Sequence, residues 1–188
     1  MAIISPEQIQ AAIDFHGHHC PGLTIGIRAA ELCLKHVGHN RQVAVTAVVE
    51  TDMCGVDAIQ FLTGCTFGKG NLIHLDHGKM AFRFYCTDTN QALRAFYDPP
   101  AELTANKNPD SNDLLKREAL CRAIMEAPLD ILFRVEEISV PSPRSAVILE
   151  SLACEACTEK TMESRTRRFG GRTLCIPCFN QVEQKVLE

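Results

Sequence analysis

Long apolar runs are missing from this chain. None approaches the roughly 18 residues needed to cross a bilayer, so a helical membrane protein is not the reading. The opening stretch, MAIISPEQIQAAIDFHGHHC, lacks a basic segment followed by an apolar stretch and a small-residue cleavage site. It does not read as a signal peptide, and a cytoplasmic location is expected. An excess of positive charge is missing too: the net charge is -4 and the sequence pI about 6.0. A dispersed attraction to nucleic acid or an anionic membrane is therefore not expected. Arg165, Arg167, Arg168 and Arg172 form a local basic cluster, but Glu155, Glu159, Glu163 and Glu183 nearly balance it. No aromatic stacking series accompanies it. It reads as a solvated or partner-contacting face, and nucleic acid is not the expected partner.

What the chain has in quantity is cysteine, ten in 188 residues, together with seven histidines. With no export signal, four of the ten in two CxxC pairs, and three others accompanied by histidine or acidic residues, reduced and metal-directed thiols fit better than disulfides. At 46% hydrophobic and 22% charged residues, the chain has material for one core and a small appendage.

The pattern along the chain predicts an α+β body through residue 145 with a mixed or antiparallel sheet and packed helices, then a small metal-built unit over 146–188. Residues 6–15 read as a helix capped by Ser5 with Pro6 at its first position. A second helix runs from Leu23 to about His36, with Gly38 as terminator. QVAVTAVVE, 42–50, is the clearest strand, and a third helix follows Cys54-Gly55. Strands are expected near 71–76 and 78–86, joined tightly around Asp76, His77 and Gly78. Helices are expected over 88–97 and 110–127, a strand in ILFRVEEISV, and a helix in FNQVEQKVLE at the end.

Cys154, Cys157, Cys175 and Cys178 follow the pattern C-x2-C-x17-C-x2-C. Two residues between paired cysteines let both sulfurs reach one tetrahedral ion, and the intervening segment can fold as a hairpin with Gly170-Gly171 at its turn. Four thiolates leave no open position, so this zinc is expected to be structural. Two separate redox-active CxxC pairs are the competing reading, and they would leave the small unit short of apolar material to hold its fold.

In the body, His16, His18, His19 and Cys20 fall within five consecutive residues. An H-x-H turn can point alternate imidazoles to one side, leaving His19 for a supporting or substrate-contacting role. Cys20 precedes a helix start, where free N–H groups favour a thiolate, as nucleophile or as ligand. Cys54 sits between a strand end and a helix start, flanked by Asp52 and Asp57, which can orient an imidazole, accept a proton or cap a helix. His16, His18, Cys20, Cys54 and Cys65 are the candidate ligands of a second transition metal, zinc, nickel or iron. Cys20, Cys65, Asp52 and Asp57 are the candidates for proton or covalent chemistry. His74 and His77, on a strand and its turn, read as further donors or as parts of an exposed hairpin. GCTFGKG lacks the four-residue gap and the Ser/Thr of a phosphate loop, leaving a turn in which Lys69 either counters an anionic substrate or only solubilises the loop. Cys33, Cys86 and Cys121 read as inert buried thiols.

FHGHHCPGLTIG, TDMCGVDAIQFLTGCTFGKGNL and the terminal CxxC pairs resemble the FmdE family of formylmethanofuran dehydrogenase proteins over nearly the whole chain. The resemblance implies an α+β core with a treble-clef zinc finger, often as a homodimer. It also implies a cleft holding His16, His18, Cys20, Asp52, Cys54, Asp57, Gln60 and Cys65, with Lys69 adjoining; Gln60, Lys69 and His19 are the candidate substrate contacts. Members look like accessories to the molybdenum or tungsten enzyme that reduces carbon dioxide onto methanofuran in methanogenesis. The chain itself has no visible pterin or iron–sulfur framework. The function expected is that of a metal-binding protein resembling that accessory subunit, with a His/Cys metal cleft of unknown substrate, and whether it is an enzyme is left open. The alternatives are metal delivery or docking to a molybdenum or tungsten oxidoreductase, or metal- or redox-responsive regulation.

Overall fold

The first helix starts for local reasons. Ser5 Oγ accepts from Gln8 N–H at 3.3 Å while Gln8 Oε1 accepts from Ser5 N–H at 2.9 Å, a reciprocal cap in front of Pro6. This computed structural model describes residues 3–104, 114–139, 142–143 and 147–182. They fall in two compact units, residues 1–146 and 147–188.

The first unit runs α1 (Pro6–His16), α2 (Pro21–His36), β1 (Val45–Val49), α3 (Gly55–Thr63), β2 (Leu72–His74), β3 (Ala81–Cys86), β4 (Gln91–Tyr97), α4 (Ala101–Thr104), α5 (Leu114–Glu126), α6 (Leu129–Leu132) and β5 (Phe133–Glu137). The sheet order is β2-β1-β3-β4-β5, with β1 and β2 parallel and every other pair antiparallel. The fold is therefore mixed α+β. Alternation sends Val45, Ala47, Val49, Phe82, Phe84, Leu93 and Ala95 into one core with Leu23, Ile27, Ala58, Ile59 and Ile124 from the helices. The central helix α2 buries residues on most of its circumference. It crosses α3 backbone to backbone: a Cβ added at Gly26 would lie 2.5 Å from the Cα of Gly55 and closer still to its carbonyl oxygen.

Two sequence expectations are corrected. Residues 88–97 hold a strand where a helix was expected. Asn90, with φ 54°, closes a tight turn, and QALRAFY then alternates inward and outward against β3. Its helix-favouring composition yields to pairing and burial. The segments on either side of His77 do not form a hairpin, because β1 lies between β2 and β3 and pairs with both. The expected helix over 110–127 is α5 from Leu114, its first residues lying outside the described ones, as does most of the expected terminal helix after Val182.

The other face of the sheet carries a buried carboxylate. Glu50, 1% exposed at its side chain, accepts from Arg83 Nε and Arg94 Nε, each at 2.8 Å, and from Arg94 Nη2 at 3.0 Å, with His77 Nδ1 at 3.4 Å. The Arg94 bonds hold its pKa down to about 2 against the opposing effect of burial, with Arg83 and His77 adding to the shift.

In the second unit β6 (Ser151–Ala153) pairs with β7 (Lys160–Met162), a 3-10 turn covers Glu163–Arg165, and β8 (Thr166–Phe169) forms a hairpin with β9 (Arg172–Cys175) before α7 (Ile176–Asn180). Gly170 and Gly171, at φ 56° and 79°, make the two-residue turn. Its apolar core is little more than Leu174 with the edges of Phe169 and Phe179.

Two predictions follow from the body. Glu50→Gln is expected to lower stability at pH 7 by about 3 kcal/mol, because two arginines lose their counter-charge. The wild type holds that contribution above its unfolded carboxyl pKa of 4.5 and loses it as the pH falls toward 2. The two proteins should thus converge in acid, as urea unfolding across that range will show. Gly26→Ala, read the same way at pH 7, should cost about 1–3 kcal/mol or more, since backbone must move to admit one methyl.

Candidate metal centres

Two groups of donors lie among the described residues: His16, His18, Cys20 and Cys54 in the body, and Cys154, Cys157, Cys175 and Cys178 in the second unit. Within each, the ligand atoms all lie within 4.8 Å of one another. A tetrahedral zinc with bonds of about 2.0–2.3 Å needs donor separations of roughly 3.3–3.8 Å. Small side-chain rotations are therefore enough to bring either set onto one ion, and both donor sets suit it chemically.

The body group is assembled by two helix starts and a helix end. His16 is the last residue of α1, and Gly17, at φ 90°, turns the chain so that His18 comes back beside it, ring centroids 4.5 Å apart. Cys20 caps α2, its Sγ accepting the Leu23 N–H at 3.4 Å, and Cys54 precedes the first turn of α3. The Cys20 sulfur thus takes up a free N–H at a helix N-terminus, which favours negative charge, while Cys54 stands at the start of α3 with no side-chain bond to it. Gly22 permits the approach: a Cβ there would meet the Cys54 Cβ at 3.2 Å. Burial pushes the Cys54 thiol up and the adjacent Cys20 thiol adds to it, so the pair resists double ionisation until a cation joins it. His16 Nδ1 bonds Asp57 Oδ2 at 2.7 Å, which leaves Nε2 facing Cys20 Sγ at 4.0 Å. A carboxylate behind an imidazole is the usual way to fix the tautomer of a ligand histidine. His18 is the most exposed of the four.

Beside this group opens a cleft of about 430 Å³. Asp52, Asp57, Gln60 and His74 line it, with Met53, Val56, Phe67 and Leu72 as apolar walls. Gln60 Oε1 accepts from Phe67 N–H at 3.1 Å and so braces the glycine turn that forms one wall. These apolar walls were not foreseen from the sequence; Met53 and Phe67, 56% and 73% exposed, carry the only local signal, large apolar residues next to polar loop positions.

Other expected site residues lie elsewhere. Cys65 is corrected: its buried Sγ donates to Val45 O at 3.4 Å, and burial raises its pKa. Cys54 precedes α3 and Cys65 follows it, and nine helical residues separate their ends by about 13 Å. The two thiols cannot share one ion. Lys69 Nζ donates to Gly64 O at the C-terminal end of α3 and lies 3.5 Å from Asn40 Oδ1. His19 turns to Thr24 Oγ1 at 3.1 Å, and His77 to Glu50. Cys33, Cys86 and Cys121 are buried.

In the second group Cys175 N–H donates to Cys154 Sγ at 3.3 Å, and Cys157 Sγ lies 3.9 Å from Cys175 Sγ. Backbone N–H groups of Cys157, Cys175 and Ala156 hold Cys154 down to about 6, while Cys175 and the other neighbouring thiols push Cys178 up to about 12. A divalent cation among the four relieves that mutual repulsion.

Comparison with known proteins gives matches over both units. The family model described as FmdE, molybdenum formylmethanofuran dehydrogenase operon, matches residues 15–134, and that of the prokaryotic dksA/traR C4-type zinc finger matches residues 148–184. The crystal structure of a tungsten formylmethanofuran dehydrogenase FmdE-like protein from Syntrophus aciditrophicus superposes with a TM-score of 0.68 at 29% identity, covering 92% of this chain and 90% of that one. A probable S-adenosyl-L-methionine-binding protein of Archaeoglobus fulgidus is 30% identical over 193 residues, 89% of this chain but 51% of the relative. The chain thus spans about half the length of that curated relative. Among the described residues no helix is long and apolar enough to cross a membrane.

Since the Cys65 sulfur stands outside both donor groups, Cys65→Ala is expected to leave metal per chain at the wild-type value while lowering stability by about 1–2 kcal/mol. Metal analysis beside urea unfolding checks both halves.

Proposed function

The chain belongs to the FmdE family, and from that premise we propose that it is a metal-binding accessory protein of a molybdenum or tungsten oxidoreductase, holding a thiophilic transition ion in its body and a structural zinc in its finger. The observation that carries the reading is the convergence of His16, His18, Cys20 and Cys54, with Asp57 behind His16. Two thiolates and two neutral imidazoles balance a divalent ion, and their softness suits zinc, nickel or iron better than calcium or magnesium. His18, the exposed donor, is the ligand that exchanges, which suits passing an ion on or admitting a small molecule to the metal. Asp57 orients His16, and Asp52 stands at the rim. The oxidoreductase partner rests on the operon named in the family description. The four-cysteine finger, treble-clef-like with its hairpin and following helix, leaves no open position on zinc and serves as structure and docking surface. The protein acts in the cytoplasm, as a homodimer.

A second reading is favoured by the cleft beside the donors and by the name of the Archaeoglobus relative: binding of S-adenosylmethionine at that cleft. Calorimetric titration of the metal-loaded protein with that compound decides it, heat that saturates supporting it and no heat sinking it.

The main reading is tested by anaerobic metal content. Wild type should carry two metal ions per chain and a His18→Ala/Cys54→Ala double variant one; one ion in both would overturn a body metal centre. Asp57→Asn, with the fold retained, should weaken body metal binding by about 10–100-fold in competition with a chelator.

A further inference from the structure

The charge of the cleft beside the body donors is lopsided. Asp52 and Asp57 line it, and no lysine or arginine does among the described residues. The one cation expected near it, Lys69, is turned to the carbonyl of Gly64. The donor group does not reverse the balance. Cys20 and Cys54, once thiolates, cancel the charge of a divalent ion, and the N–H of Leu23 at the positive start of α2 is directed at the Cys20 sulfur. What remains toward the cleft is the Asp52 carboxylate, the Asp57 carboxylate with Oδ2 bonded to His16, and the imidazole of His74, over walls made by Met53, Phe67 and Leu72.

Phosphates and carboxylates are repelled by such a lining, and a ligand with a protonated amine or other onium head is drawn in. The walls set the rest of the ligand. Phe67, on the glycine turn braced by Gln60, and Met53, beside Cys54, offer a polarisable surface to a flat or apolar body, and an aromatic face also attracts a cation. A volume of about 430 Å³ lies within the usual range of small-molecule sites.

We infer that this cleft selects a small organic cation with an apolar or aromatic body, the head lying between Asp52 and Asp57 and the body on Met53 and Phe67. The inference deepens the functional reading above, since it takes the cleft beside the donors as the place where the small molecule enters.

Two probes of similar size and opposite charge test it on the full, zinc-loaded chain: 2-phenylethylammonium and 3-phenylpropionate, titrated while ligand line-broadening is followed by NMR. The ammonium should bind at least tenfold more tightly. Asp52→Asn, at an exposed position, should reduce that preference severalfold with metal content unchanged, and Phe67→Ala should weaken both probes. Equal binding of the two probes, tighter binding of the carboxylate, or binding of neither overturns the inference. Cation preference in a protein that carries only one metal ion would sink the metal centre and leave the cleft assignment standing. Two ions with no preference would do the reverse.

Discussion

Where α2 crosses α3, the two helices meet through Gly26 and Gly55 with no side chain between their backbones; a Cβ on Gly55 would stand 3.3 Å from the Cα of Gly26. One turn earlier on α2, Gly22 lies against Cys54 in the same way. This close approach sets the distance between the two helix N-termini, and with it the distance between Cys20 and Cys54. A larger residue at either crossing point would separate the helices and pull the sulfurs away from a common ion. Packing and chemistry therefore depend on the same few glycines.

The remaining donors are supplied by continuity with that crossing. The last residue of α1 is His16, and the turn from Gly17 to Cys20 is short, so both imidazoles are carried to the start of α2 by the chain itself. Asp57, on the first turn of α3, reaches back to His16 and ties α3 to α1 at the site. On the far side of the sheet, Glu50 at the end of β1 is clamped by Arg83 and Arg94 from β3 and β4. The turn 51–54 that delivers Cys54 thus leaves the sheet from an anchored point.

Some of this was legible in the residues alone. The H-G-H-H-C run, the CxxC pairs and the strand-to-helix position of Cys54 are local patterns, and local patterns carry their chemistry with them. The helix cap at Ser5 is of the same kind. Residues 88–97 mislead because Gln-Ala-Leu-Arg-Ala favours a helix in isolation, and only the neighbouring β3 makes the extended form better. The course of the chain around His77 misleads because a hairpin is the shortest link between two strands, and nothing nearby reveals that β1 is inserted between them.

By itself, then, the sequence determined the class of fold, the metal-ligating residue types and the closed four-cysteine group, since each rests on periodicity, composition or spacing within a short stretch. Tertiary structure alone decided which thiols fall in one donor group. Cys65 is close to Cys54 in the chain but stands at the opposite end of a rigid nine-residue helix, whereas Cys20, far earlier in sequence, is brought beside it by the glycine crossing. It also decided the charge of the cleft, by turning Lys69 to a helix C-terminus and leaving Asp52 and Asp57 on a wall that holds no lysine or arginine among the described residues. Distances along a chain say little about distances across a fold, because a helix holds its ends apart while a close helix crossing draws remote residues together.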